Sequence, residues 1–184
     1  HQAGNGDEAA ALFREAEEMQ KAWQPEFPLL YSLQGYRYCD LLLGRGEHRE
    51  VERRAAQTLV WAKQYLGLLD IALDHLSLGR ARLLRAEREG KGDFGPAARE
   101  LDAAVDGLRQ SGQQDDLPRG LLARADLHRI TNDLPAARRD LDEALALATR
   151  SGMRLFETDA HLGYARLALA ARDPAAAREH LDEA

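Results

Sequence analysis

The sequence predicts an all-α fold of tandem antiparallel helix pairs, stacked as an α-solenoid. Three observations predict it. One block of residues recurs at a fixed interval, a pattern of small residues precedes each block by about one helix, and turn-forming residues fall between the two. A fixed period implies units that each bury an apolar face on a neighbour, so the stack needs no single central core.

The period is clearest in the second half. Residues 133–144 read Asp-Leu-Pro-Ala-Ala-Arg-Arg-Asp-Leu-Asp-Glu-Ala, and residues 173–184, 40 places on, repeat most of them. One interval back, residues 93–104 keep Ala97, Arg99, Leu101 and Ala104 in register. In each copy an Ala, a Leu and an Ala at i, i+4 and i+7 share one helical face. Before these blocks stand Gly79-Arg80-Ala81-Arg82-Leu83, Ala123-Arg124-Ala125-Asp126-Leu127 and Gly163-Tyr164-Ala165-Arg166-Leu167. A fainter copy, Gly35-Tyr36-Arg37-Tyr38-Cys39, carries larger residues. Pro28 and Pro118 suit the first turn of a helix, where the missing N–H costs nothing, and Ser151-Gly152 reads as a helix stop. Helices are expected over 7–22, 28–43, 47–66, 68–89, 94–111, 117–131, 134–150, 154–171 and 174–184, with no strand. They group into units at about 1–22 (a second helix only), 28–66, 68–111, 117–150 and 154–184 of a single domain. Because the last unit stops inside a helical pattern, the chain is expected to be a fragment of something longer.

This arrangement resembles the tetratricopeptide repeat family. Ala81, Ala125 and Ala165 match the small residue of that family's first helix. Ala97, Ala137, Ala177 and Ala104, Ala144, Ala184 match the two of its second, with Leu101, Leu141 and Leu181 as the large apolar residue between them. Ala9, Phe13 and Ala16 look like a second helix whose partner is missing. The interval of 40 exceeds the family's usual ~34, with extra residues around Glu89-Gly90-Lys91-Gly92. That longer period is similar to repeat arms of bacterial signalling proteins, and the preference for Arg over Lys (only Lys21, Lys63 and Lys91) suits a GC-rich bacterial genome. The resemblance implies a right-handed superhelix with a concave face that binds a partner.

Composition narrows function further. Thirty-one acidic residues against 25 basic ones give a net charge of −6, which disfavours a general nucleic-acid or membrane-surface binder. Cys39 is the only cysteine, so neither an internal disulfide nor a cysteine-based zinc site can form, and a reducing, cytoplasmic setting is expected. No phosphate loop, nucleophile elbow or His-Glu-x-x-His is present, and no cofactor or metal is expected. Asp70, Asp74 and His75 could share a helix face as metal ligands, but a solvated or partner-facing patch is the expected reading. His161 with Asp159, and His128 with Asp126, are two apart on a helix and diverge, making poor dyads. His48 reads as turn surface, Cys39 as core, and Trp23 and Trp61 as packing between repeats.

The expected concave surface follows from projecting the family register onto the first helices. It presents Tyr31, Gln34, Tyr38, Leu41 and Leu42; then His75, Leu78, Arg82, Arg85 and Ala86; then Arg119, Leu122, Asp126, Arg129 and Ile130; then Asp159, Leu162, Arg166, Leu169 and Ala170. An acidic chain would thus line its groove with arginines, whose guanidinium forks suit an acidic peptide or a carboxylate. A non-enzymatic protein-interaction scaffold is the leading expectation. The alternative is a ligand-sensing or autoinhibitory arm of a larger signalling ATPase or protease. Single-stranded RNA ranks below both, because only the Tyr31/Tyr38 end interleaves aromatic and polar groups.

Overall fold

The computed structural model describes residues 5–90 and 92–184, which form nine α-helices and no strand. In order they are α1 (Gly6–Trp23), α2 (Ser32–Gly44), α3 (His48–Tyr65), α4 (Leu68–Glu89), α5 (Gly95–Ser111), α6 (Leu117–Ile130), α7 (Leu134–Ser151), α8 (Arg154–Ala170) and α9 (Pro174–Glu183). Eight follow the expected spans to within a few residues. The exception is α2, expected from Pro28 but starting at Ser32. Pro25 and Pro28 keep Gln24 and Phe27 out of the helical region, so the link stays irregular. It then folds back so closely that a Cβ on Gly35 would lie 2.5 Å from the carbonyl oxygen of Leu30.

The helix ends are set by local chemistry. Asp133 and Asp173, equivalent in the repeat, cap α7 and α9 by accepting the backbone N–H groups of Ala136 and Ala176 at 3.1 and 3.0 Å. Proline occupies the first turn of α5, α6, α7 and α9. At the other end, α2, α6 and α8 stop by the same device. Gly46, Asn132 and Arg172 take left-handed backbone (φ +79°, +64° and +61°). The next N–H, of Glu47, Asp133 or Asp173, then donates back to the carbonyl of Leu42, His128 or Ala168 at 2.8–2.9 Å. In α4 the left-handed residue is Gly90, φ +60°.

Helix backbones approach only their first or second neighbours along the chain. Helices α4 and α5 run antiparallel: the position of a Cβ on Gly79 lies 2.6 Å from Leu101 Cγ, and that on Gly107 2.9 Å from Ala72 Cβ, so early α4 meets late α5. In addition α2 packs on α4, α4 on α6 and α6 on α8, forming an inner row. Three apolar clusters lie between these layers. One joins Leu73, Leu76 and Leu83 of α4 to Ala97, Leu101 and Val105 of α5 and Leu121 of α6. Another holds Cys39, Leu42, Val51 and Ala81, and the third Ala125, Ala137, Leu141 and Tyr164. Cys39 is core as expected, and burial pushes its thiol up to about 11.

Two apolar expectations fail. Trp23, the last residue of α1, is 78% exposed, whereas Trp61 meets Phe27 edge-on with centroids 5.3 Å apart. Leu141 is buried but its repeat equivalent Leu181 is 53% exposed, since α9 contacts only α8.

Buried charge ties the first three helices together. Arg54 of α3 pairs with Glu17 of α1, sits 4.4 Å from the centroid of the Tyr38 ring, and is almost wholly buried. Glu17 also accepts the N–H of Leu30 at 2.9 Å, so one carboxylate anchors the irregular link as well as α3. Nearby, Asp74 is buried on α4 and accepts the Thr58 hydroxyl at 2.6 Å. Burial lifts its carboxyl from 3.8 to about 7, and Asp70 adds to the rise, while the Thr58 bond opposes it.

Two predictions follow from these features. In the unfolded chain Asp74 ionises near 3.8 and in the folded chain near 7, so its stabilising, protonated form is fully favourable below about pH 4 and is lost as pH rises through 7. The loss amounts to at most about 4 kcal/mol. Asp74→Asn should therefore raise Tm at pH 8 and leave it little changed at pH 4, read by circular dichroism. At the helix stops, Gly46→Val should cost more than about 1–2 kcal/mol in urea unfolding, while Arg172→Gly should gain up to about 1 kcal/mol, because only the second removes a side chain from left-handed backbone.

Candidate functional site

The inner row of first helices, α2, α4, α6 and α8, encloses an open cleft of about 360 Å³. Its register follows from the helix stops. Six residues before each left-handed residue stand Asp40, Leu84, Asp126 and Arg166, and ten residues before stand Tyr36, Arg80, Leu122 and Leu162; all eight line the cleft. Positions six and ten are one helical turn apart and point the same way. Once the stop sets where a helix ends, it also sets which side faces inward.

Arg119 of α6 meets two aromatic rings in the lining of the cleft. Its guanidinium carbon lies 5.4 Å from the Tyr36 ring of α2 and 5.2 Å from the Phe156 ring of α8, and its Nε donates to Asp116 at 2.8 Å. An arginine between two rings is held by cation–π attraction from both sides. Arg119 thereby links helices α2 and α8, whose backbones do not approach one another. Arg80 pairs with Asp40 at 2.8 Å and donates to the Tyr36 hydroxyl at 3.3 Å. Arg129 pairs with Asp126 at 2.7 Å. Burial raises the Asp159 carboxyl, with Asp40 adding to the rise and Arg166 and Arg80 opposing it. Leu83, Leu122, Ala123 and Leu162 supply the apolar lining.

The expected concave set divides by helix. Arg119, Asp126, Arg129, Asp159 and Arg166 line the cleft, as do Leu122 and Leu162. Tyr31, Gln34, Tyr38, His75, Arg82 and Arg85 do not. Tyr31 lies in the α1–α2 link with its hydroxyl donating to Gln24 at 3.2 Å, and Gln34 is exposed. Tyr38 is buried flat against Phe13 of α1 at 4.9 Å. His75 and Arg82 converge on Glu100 of α5 at 2.5 and 2.6 Å, and Arg85 pairs with Glu52 of α3 at 2.8 Å.

The error has one cause. Aligning Ala81 with Ala125 puts Ala81 nine residues before its left-handed residue and Ala125 seven, and two residues rotate a helix by about 200°. The true equivalent of Ala125 is Leu83, which packs on Ala97 and Leu101 as Ala125 packs on Ala137 and Leu141. Tyr36, Asp40, Arg80 and Leu84 were missed for that reason. The usable signal was Gly46 and Gly90, each a glycine just past a periodic run.

Arginine lining is thus only half of the electrostatics. The cleft is lined by Arg80, Arg119, Arg129 and Arg166 but also by Asp40, Asp126 and Asp159, so its charge is nearly balanced. The remaining chemical candidates separate. Asp74 turns to Thr58 and His75 to Glu100, so they share no ligand site with Asp70, whose carboxylate accepts the N–H of Gly67. His128 lies 3.8 Å from Asp140 and not beside Asp126, and His161 faces α9. His48 bonds the Gly46 carbonyl at 3.0 Å, within its turn. Among the described residues, no helix is long and apolar enough to cross a membrane.

Comparison with protein-family models, curated proteins and solved structures gives no match for this chain.

Proposed function

We propose that this chain is a tetratricopeptide-like, right-handed α-solenoid that works without catalysis, holding a segment of a partner protein in its inner cleft. The observation that carries this reading is the recurrence of the two inward positions in all four first helices, around one continuous cleft. Repeated helix pairs that use the same two positions build a binding surface by stacking, as solenoids do.

The lining suggests the character of the segment. Apolar contact with Leu122 and Leu162 supplies burial, while alternating Arg and Asp side chains offer both donors and acceptors. Three of the four arginines have a nearby acidic partner: Arg80 with Asp40, Arg119 with Asp116 and Arg129 with Asp126. A uniformly acidic ligand would have to compete with those aspartates. A segment carrying both charges beside an apolar side chain complements the cleft better, because like charges placed together at an interface are costly.

Peptides selected from a displayed random library on the folded chain provide the test, with affinities read by fluorescence anisotropy. Arg166→Glu and Leu162→Asp should each weaken the selected peptides by about tenfold to a hundredfold, or about 1.4–2.7 kcal/mol. Arg85→Gln, outside the cleft, should leave them unchanged. Equal losses for all three variants, or none for the first two, would overturn the proposal.

A further inference from the structure

On the far side of α8 from the cleft, three side chains with metal-binding atoms meet. His161 of α8 faces His180 and Glu183 of α9, which stand three residues apart and so lie on one face of that helix. The Nδ1 atoms of the two imidazoles are 3.4 Å apart, and His161 Nδ1 is 3.1 Å from Glu183 Oε2. All three candidate ligand atoms lie within 4.8 Å of one another.

We propose that His161, His180 and Glu183 form a binding site for a divalent transition-metal ion, with Zn²⁺ the ion the ligand set suits best. In a tetrahedral zinc site with bonds of about 2.0–2.1 Å, neighbouring ligand atoms are about 3.3 Å apart. The two short separations, 3.4 and 3.1 Å, bracket that edge length. Two imidazoles and one carboxylate suit zinc and its first-row neighbours and do not suit calcium or magnesium, which take oxygen ligands. Three protein ligands leave a fourth position for water. Glu183 is 63% exposed and His161 only 17%, so the open side faces solvent and gives the ion a way in.

The surroundings hold the ligands in position. The Tyr164 ring lies nearly parallel to His180, with centroids 4.8 Å apart and 17° between planes. Its hydroxyl donates to Asp142 of α7 at 2.5 Å, which fixes the ring that His180 leans on. Thr158 donates to the Ala184 carbonyl at 3.1 Å, tying the end of α9 to α8 beside the ligands. Tyr164 is thus a positioning residue, in the way that groups behind metal ligands orient them. Because the ligands come from two helices, bound ion would clamp α9, which otherwise contacts only α8.

Calorimetric titration of the metal-free chain with ZnCl₂ tests the proposal, with Co²⁺ as a coloured substitute and Tm followed alongside. The expected result is one ion per chain, a Co²⁺ visible spectrum of tetrahedral intensity, and a higher Tm with Zn²⁺. His161→Ala and His180→Ala should abolish binding, and Tyr164→Leu should weaken it by about tenfold to a hundredfold. Glu183→Gln, at an exposed position, should weaken binding while leaving the circular dichroism spectrum unchanged, so it decides the matter even if a histidine variant misfolds. Failure of the wild-type chain to bind Zn²⁺ would overturn the proposal. So would binding that survives undiminished in both Glu183→Gln and His180→Ala, since the ion would then sit elsewhere.

Discussion

The left-handed residue that ends each first helix is the constraint from which the inner surface derives. Where a helix stops on a residue that reverses the backbone twist, the following N–H groups can return to its last carbonyls. Here that residue is Gly46, Gly90, Asn132 or Arg172. Since side-chain direction advances about 100° per residue, fixing the stop also fixes the direction of every side chain before it. In all four helices the residues six and ten places upstream line the cleft. Glycine adopts this geometry at little cost and asparagine at somewhat more, whereas arginine at 172 bears the full steric cost.

Charge plays two distinct parts. Within the first three helices it is buried and structural: Glu17 holds both Arg54 and the link before α2, and removing either partner would strand an ion in a low-dielectric interior. Along the cleft it is half-exposed and paired across short distances, which keeps the surface polar without giving it one dominant sign. Arg119 belongs to both classes. It lies against the Tyr36 ring of α2 and the Phe156 ring of α8 and is paired with Asp116.

Helix α8 shows how one helix serves two surfaces. Asp159, Leu162 and Arg166 face the cleft, while His161 and Tyr164 face α9. The division follows from helical geometry, since residues two apart point to opposite sides. A ligand in the cleft and an ion at the α8–α9 contact would act on the same helix from opposite faces, which offers a physical route for one to influence the other.

Much of the fold was legible in the residues alone. The helices, their order and most of their ends follow from the 40-residue interval, the small-residue pattern before each block and the turn-forming residues between them, because these are local rules acting over a few residues. On α6 and α8, which share one spacing to their stops, the charged groove residues singled out from the sequence line the cleft. In α2 and α4 the small residues stand two places further from the turn, and only packing shows that Leu83, not Ala81, opposes Ala97 and Leu101. The pairing of Arg80 with Asp40 across two helices, and the meeting of His161 with His180 and Glu183, were likewise beyond the sequence. They depend on which faces of different helices come together, and that is decided by interhelical close packing, a long-range property no local pattern encodes.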